Sequence, residues 1–212
     1  MIIIQAGDDM LYYMFNKPQG CVTAKSDAVH RTVMDYFPSE LAEKLHPVGR
    51  LDKDTCGLLI LTDDGDLDFR IMQPDRHISK TYFFYAIGTM STEKKQFLEK
   101  GIAMAGLTAK EAVFSFGKEY RIGDLESFMP SERRERYMKN PDGPAFSAYL
   151  TICEGKKHQV KRMLEAAGCR IFYLRRDRIG ALSLDSSLPQ GEYRPLTAEE
   201  LLLLQVDTSD RI

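Results

Sequence analysis

The chain has 212 residues, 43% of them hydrophobic and 28% charged, with a formal net charge of −2. That composition suits a folded domain with one sizeable core, and its near-neutral balance excludes a general polyanion-coating protein, so any nucleic-acid contact must come from a local patch. Cys21, Cys56, Cys153 and Cys169 form no C-x-x-C and lie at no zinc-like spacing from a histidine, which argues for reduced thiols in a cytoplasmic protein and against a disulfide frame.

The opening Met1-Ile2-Ile3-Ile4 lacks a basic flank and is too short for a signal peptide or a membrane span. Residues 11–15 (LYYMF) read as a strand and Asn16-Lys17-Pro18-Gln19-Gly20 as a turn, after which residues 21–23 resume as a strand. Lys17, beside that turn, is either a phosphate contact or a solvated loop lysine. Residues 32–45 look helical on either side of Pro38, which must sit at a break or a new first turn. Residues 57–62 (GLLILT) form an apolar run closed by Asp63-Asp64-Gly65-Asp66, the pattern of a central strand and its turn. Just upstream stands Gly49-Arg50-Leu51-Asp52. In extended backbone Arg50 and Asp52 point to the same side. Such a pair is a reactive site or an ordinary ion pair, and spacing alone leaves both open.

Residues 66–72 read as a short helix stopped before Pro74. Residues 80–88 (KTYFFYAIG) read as a strand with Tyr82 and Phe84 on one face, Phe83 and Tyr85 on the other. Ser91 or Thr92 caps a helix that Gly101 ends, and residues 113–116 form another short strand. Residues 117–144 mix both signs of charge with three prolines and show no long apolar face; an inserted surface arm is expected, with a charged helix at 130–139. Residues 146–153 alternate as a strand. Within 154–168, Val160, Leu164 and Ala167 share one helical face, while His158, Lys161, Arg162 and Glu165 share the other. Residues 170–174 and 179–184 are expected as strands joined by Arg175-Arg176-Asp177-Arg178, and Thr197-Ala198-Glu199-Glu200 is a capping box for a last helix. Short strands with interspersed helices give an α+β domain on a mixed or mainly antiparallel sheet.

Charge collects in one window. Residues 156–178 hold eight Lys and Arg against Glu165 and Asp177, with Phe172 and Tyr173 among them. Arginine suits bidentate phosphate contact, so this window points to polyanion binding, most plausibly RNA. No glycine-rich phosphate loop and no nucleophile elbow is present, and His30, His46, His77 and His158 are scattered, so no metal site is expected.

The run from Gly49-Arg50-Leu51-Asp52 through Gly57-Leu58-Leu59 to Thr62-Asp63-Asp64-Gly65 resembles the first motif of the RsuA-like family of bacterial ribosomal-RNA pseudouridine synthases. Lys80-Thr81-Tyr82 resembles its second motif, and Glu154-Gly155-Lys156-Lys157-His158-Gln159-Val160-Lys161-Arg162-Met163 its third. Arg178-Ile179-Gly180 and Gly191-Glu192-Tyr193-Arg194-Pro195-Leu196 match its tail, so the ordered set covers most of residues 11–204. Two departures stand out. The small N-terminal RNA-binding domain common in the family has no room before residue 11, and residues 117–144 are longer than usual there. A single pseudouridine synthase domain in two halves around an RNA cleft, with an inserted arm, is therefore expected.

The resemblance implies a cofactor-free isomerisation of a uridine in RNA. The base is flipped from its stack, its N-glycosidic bond breaks, and C5 is rejoined to C1′ of the ribose. Asp52 would act at the sugar, as nucleophile or as stabiliser of a cationic sugar; a carboxylate suits both, because glycosidic cleavage develops oxocarbenium character. Lys161 would hold Asp52 charged and oriented, and Tyr82 would stack on the uracil, its hydroxyl assisting proton removal at C5. Arg50 would fill the vacated stack, and Ile179 would form a pocket wall. His158, Gln159 and Arg162, with Arg175 and Arg176 of the basic window, would bind the RNA. Asp54, Asp63 and Asp64 are assigned to turns. The expected partner is ribosomal RNA or an assembly particle, of the small subunit by the third motif and Arg-Ile-Gly, met by a monomer with no membrane contact. The rival readings are a large-subunit synthase and a non-catalytic RNA-binding or assembly factor on the same fold.

Overall fold

The computed structural model describes residues 10–73, 78–104 and 106–204; Met1-Ile2-Ile3-Ile4, Pro74 and His77 lie outside them. Its centre is β3 (Thr55–Thr62), all eight residues of which are buried. Burial on both faces explains why the sequence there runs apolar without alternation. β1 (Tyr12–Lys17) and β2 (His46–Val48) pair with β3 antiparallel, and β11 (Tyr193–Pro195) pairs with β1. On its other edge the first residues of β3 run parallel to β9 (Arg170–Ile179), with Thr55 opposite Leu174 and Gly57 opposite Arg176. β4 (Lys80–Ile87), β8 (Pro144–Ile152) and β7 (Ala112–Arg121) continue the sheet antiparallel, and β10 (Leu182–Ser183) pairs with the end of β9. The result is a nine-stranded, mixed and mainly antiparallel sheet.

Period-2 alternation splits β3 between two cores. Leu59 and Leu61 join Tyr82, Phe84 and Leu174 under α5 (Gln159–Ala166). Leu58 and Ile60 face α2 (Gly65–Met72) together with Met14, Ile179 and Leu182. A third cluster gathers Cys56, Tyr85, Phe172 and Tyr173 against Ile122, Leu125, Met129 and Tyr137. Asp64 caps α2, accepting from the N–H groups of Asp66 and Leu67.

Four local readings change. Residues 21–23 are not a strand; Val22 makes an isolated bridge to Thr32, and a 3-10 turn over Val33–Tyr36 leads to α1 (Ser39–Lys44) beyond Pro38. α5 begins at Gln159, because His158 takes a left-handed conformation at φ 55°. The run Arg175–Arg178 does not connect two strands but continues β9 without a break. β7 is longer than its apolar residues suggest, since it borrows its register from β8 as far as Arg121 opposite Pro144. The segment that follows β7 carries a 3-10 helix over Ile122–Phe128 and α4 (Ser131–Tyr137), with Ile122, Leu125, Met129 and Tyr137 buried. Between β4 and β7 lie α3 (Thr92–Glu99), capped by Ser91, and a hairpin of β5 (Ile102–Met104) and β6 (Leu107–Ala109) that local pattern did not reveal. α6 (Ala198–Leu203) opens on the expected capping box of Thr197 and Glu200. Among the described residues no helix is long and apolar enough to cross a membrane.

Candidate active site

The loop that precedes β3 is held from beneath by β1 and the segment after it. The Thr23 hydroxyl donates to Leu51 O at 2.8 Å and accepts from Leu51 N–H at 3.2 Å. Gly20 N–H donates to Lys53 O and Gln19 Nε2 to Asp54 O, at 2.8 and 3.0 Å. Lys17 is fully buried and donates to the carbonyls of Pro18, Asp52 and Thr55 at 3.1, 3.1 and 2.8 Å. Burial holds its pKa below the ordinary lysine value. Lys17 is therefore neither a phosphate contact nor a solvated lysine; it replaces missing backbone donors under the loop.

Above this scaffold the side chains converge. Asp52 Oδ2 accepts from Lys161 Nζ at 3.1 Å, and its Oδ1 lies 3.5 Å from His158 Nε2. The carboxylate remains 29% exposed, open to a ligand. The left-handed backbone at His158 turns its imidazole toward this carboxylate. Lys161 also donates to Asp54 Oδ1 at 2.5 Å, so one ammonium is shared by two carboxylates. Desolvation raises the Asp54 carboxyl, but the hydrogen bond and charge of Lys161 outweigh it and hold its pKa below the usual range. Asp54 is thus part of the charged centre and not simply a turn residue. Leu51 and Val160, the chain neighbours of Asp52 and Lys161, share a core cluster with Tyr82, which is itself nearly buried. Two motifs far apart in the chain meet here, through Asp52 and Lys161.

The other candidates divide. Arg50 is exposed beside Asp52, and Arg162 is half-buried, its guanidinium near Gly106. Ile179 is buried in the second core cluster with Ile78 and Leu182. Gln159 is also buried, and both ends of its amide are used: Nε2 donates to Glu154 Oε1 at 2.6 Å and Oε1 accepts from Lys156 N–H at 3.0 Å. It braces the turn leading to His158 and presents no free amide to RNA. Because residues 175–178 form a strand, their side chains alternate. Arg176 is 4% exposed, with Nε donating to Leu58 O at 2.8 Å, so it cannot serve as a surface phosphate contact. Arg175 is held by the Asp177 carboxylate at 2.5 and 3.1 Å and lies over the Phe83 ring. This hydrogen-bonded pairing raises its pKa further above the ordinary arginine value. The basic window is therefore not one continuous patch.

The arrangement offers a partly exposed carboxylate, Asp52, gripped by a lysine that the more exposed Asp54 shares, on a loop fixed from beneath. That is suited to stabilising or trapping a developing cation. Residues 11–166 match the family model described as RNA pseudouridylate synthase. A Bacillus subtilis (strain 168) protein named "Uncharacterized RNA pseudouridine synthase YtzG" is 40% identical over 197 residues, covering 92% of this chain and 74% of that one. The "Ribosomal small subunit pseudouridine synthase A" of Escherichia coli (strain K12) is 39% identical over 193 residues, covering 90% and 72%. A solved structure described as "Crystal structure of pseudouridylate synthase" superposes with a TM-score of 0.76 at 37% identity, covering 92% of this chain and 74% of that one.

Proposed function

The chain belongs to the RNA pseudouridylate synthase family, and from that premise we propose that it converts a uridine of small-subunit ribosomal RNA to pseudouridine, with Asp52 at the sugar. The observation that carries the reading is the Asp52 carboxylate, held by Lys161 at 3.1 Å on a loop locked by Lys17 and Thr23. A stacked uridine does not reach such a loop, so the base leaves the stack at a cost of a few kcal/mol, and Arg50 fills the gap. The N1–C1′ bond then breaks as positive charge grows on the sugar beside Asp52. The uracil turns, C5 bonds to C1′, and the C5 proton departs with help from the Tyr82 hydroxyl. The leaving base is also the incoming nucleophile, so no water need be activated. Lys161 keeps Asp52 oriented, and His158 contacts the RNA near its second oxygen.

The small-subunit assignment follows the naming of the Escherichia coli relative. The enzyme acts in the cytoplasm, on ribosomal RNA that is free or within an assembling particle. Mapping pseudouridine in both ribosomal RNAs, from cells with and without the gene, tests it. One small-subunit uridine should stay unmodified without the gene and be restored by wild type but not by Asp52→Asn. Loss of a large-subunit site instead would overturn the subunit assignment, and no change in either RNA would overturn the function.

A further inference from the structure

The connection from β7 to β8, residues 122–143, is far longer than the two to five residues that join most hairpins. It does not loop out into solvent. β7 and β8 lie on the far side of β4 from β9, yet α4 packs Tyr137 on Phe172 of β9, ring centroids 5.9 Å apart. The excursion crosses the sheet to reach the flank of the catalytic loop. It ends where β9 outruns β3, since β3 pairs with β9 only from Leu174 onward. There a cavity of about 360 Å³ opens between α4, α5 and the start of β9, with Asp54 and Lys161 on its rim. That volume lies within the range of ligand sites.

The lining is cationic. Arg133 and Arg136 sit one turn apart on α4, on the face that also carries Tyr137, and Arg170 faces them from β9. Glu165 is the carboxylate there that Lys161 does not neutralise. Among the described residues no carboxylate lies within 4.0 Å of Arg133, Arg136 or Arg170. The arginines are exposed, while Tyr137 and Phe172 form a buried floor. Arg133 is close enough to Asp54 that its charge adds to that of Lys161 in lowering the carboxyl.

We propose that α4 is an RNA-binding wall, and that Arg133, Arg136 and Arg170 take the phosphodiester backbone of the strand flanking the flipped uridine. The proposal rests on the RNA-modifying reading above. Guanidinium groups suit phosphate oxygens, and cations held beside the reactive carboxylate keep a polyanion from being repelled by Asp52 and Asp54. The cleft thereby couples affinity to position: a strand anchored on α4 enters the site from one side.

The test uses the full chain, with small-subunit ribosomal RNA transcribed in vitro as the probe. Arg133→Glu/Arg136→Glu should lower affinity by roughly tenfold or more at low salt. Each lost phosphate contact should flatten the log–log salt dependence by about 0.7, or about 1.4 for the pair. Arg134→Glu makes the same kind of charge change at an α4 residue that does not line the cavity and should leave the slope as it is. The double Arg→Gln variant serves if the reversal impairs folding. An unchanged affinity and slope in a folded double variant would overturn the cleft as an RNA site. So would binding of polyglutamate, but not RNA, that the double variant loses, since the cleft would then belong to an acidic protein partner. Pseudouridine formation is scored separately: a wild-type enzyme that binds RNA through α4 but forms none defeats the functional reading and leaves this one standing.

Discussion

Two carboxylates share one lysine at the centre of this protein, and replacing each by its amide separates their roles. Asp52→Asn and Asp54→Asn are nearly isosteric, and each leaves Lys161 with one anion: Asp54 at 2.5 Å in the first case, Asp52 at 3.1 Å in the second. Neither creates an uncompensated buried charge. Both pairs are partly exposed, so each change should cost no more than about 1 kcal/mol of stability. The kinetic consequences differ sharply. Lys161 shows how closely a cation approaches Asp52. A sugar carbon of full positive charge at about 3.5 Å, with an effective dielectric of about 20, gains roughly 4–5 kcal/mol from the carboxylate. That is between three and four decades of rate. Asp52→Asn should therefore lower the single-turnover rate by at least about a thousandfold. Asp54→Asn removes an orienting partner of Lys161 and should cost about tenfold or less. The assay is tritium release from RNA labelled at uridine C5, with saturating enzyme in excess over RNA, and melting temperatures measured in parallel. Asp52→Asn retaining more than about one per cent of the rate, a loss of only about 2.7 kcal/mol, would remove it from the chemistry. Equal losses in the two variants would mean that the pair acts as a unit.

Gly57→Ala should destabilise the fold by on the order of 3 kcal/mol, because φ is +100° and a Cβ would meet Arg176 O at 2.4 Å across the parallel β3–β9 contact; chemical denaturation measures it, and a loss below about 1 kcal/mol would refute the tight approach. Lys80, pushed down to about 8 first by burial and then by the charge of Arg176, gives a pH signature. The unfolded chain, at an ordinary value of 10.5, binds more protons between the two values. Stability relative to Lys80→Met should thus rise by about 3 kcal/mol from pH 7.5 to 10.5 and be flat below; a flat difference throughout would show that Lys80 titrates normally. Tyr82→Phe should keep RNA affinity within about twofold while slowing turnover by roughly a hundred- to ten-thousandfold, the range of one lost acid–base contribution; an equal fall in affinity would make the hydroxyl a binding group.

The elements that follow from near-neighbour chemistry were legible in the chain alone. The apolar run of β3, the Asp64 cap, the break at Pro38, the Ser91 cap and the final capping box each depend on residues within a turn of one another. That Asp52 and Lys161, 109 positions apart, would be partners came only from the resemblance of their motifs to the family. The tertiary structure decided what depends on distant strands. Arg175–Arg178 look like a charged connection, but pairing with β4 makes them strand and sends alternate guanidiniums to Asp177 and into the core. Lys17 looks like a solvated lysine beside a turn, but the approach of residues 51–55 buries it among three carbonyls. Asp54 reads as a turn residue until α5 brings Lys161 to it. Residues 122–143 lack a long apolar stripe, yet cross the sheet, because a few apolar side chains find a floor on β9. Local pattern reports propensity and capping within a turn; burial and pairing arise between residues tens of positions apart, and here they decided which charges stand open around Asp52 and which only hold the fold.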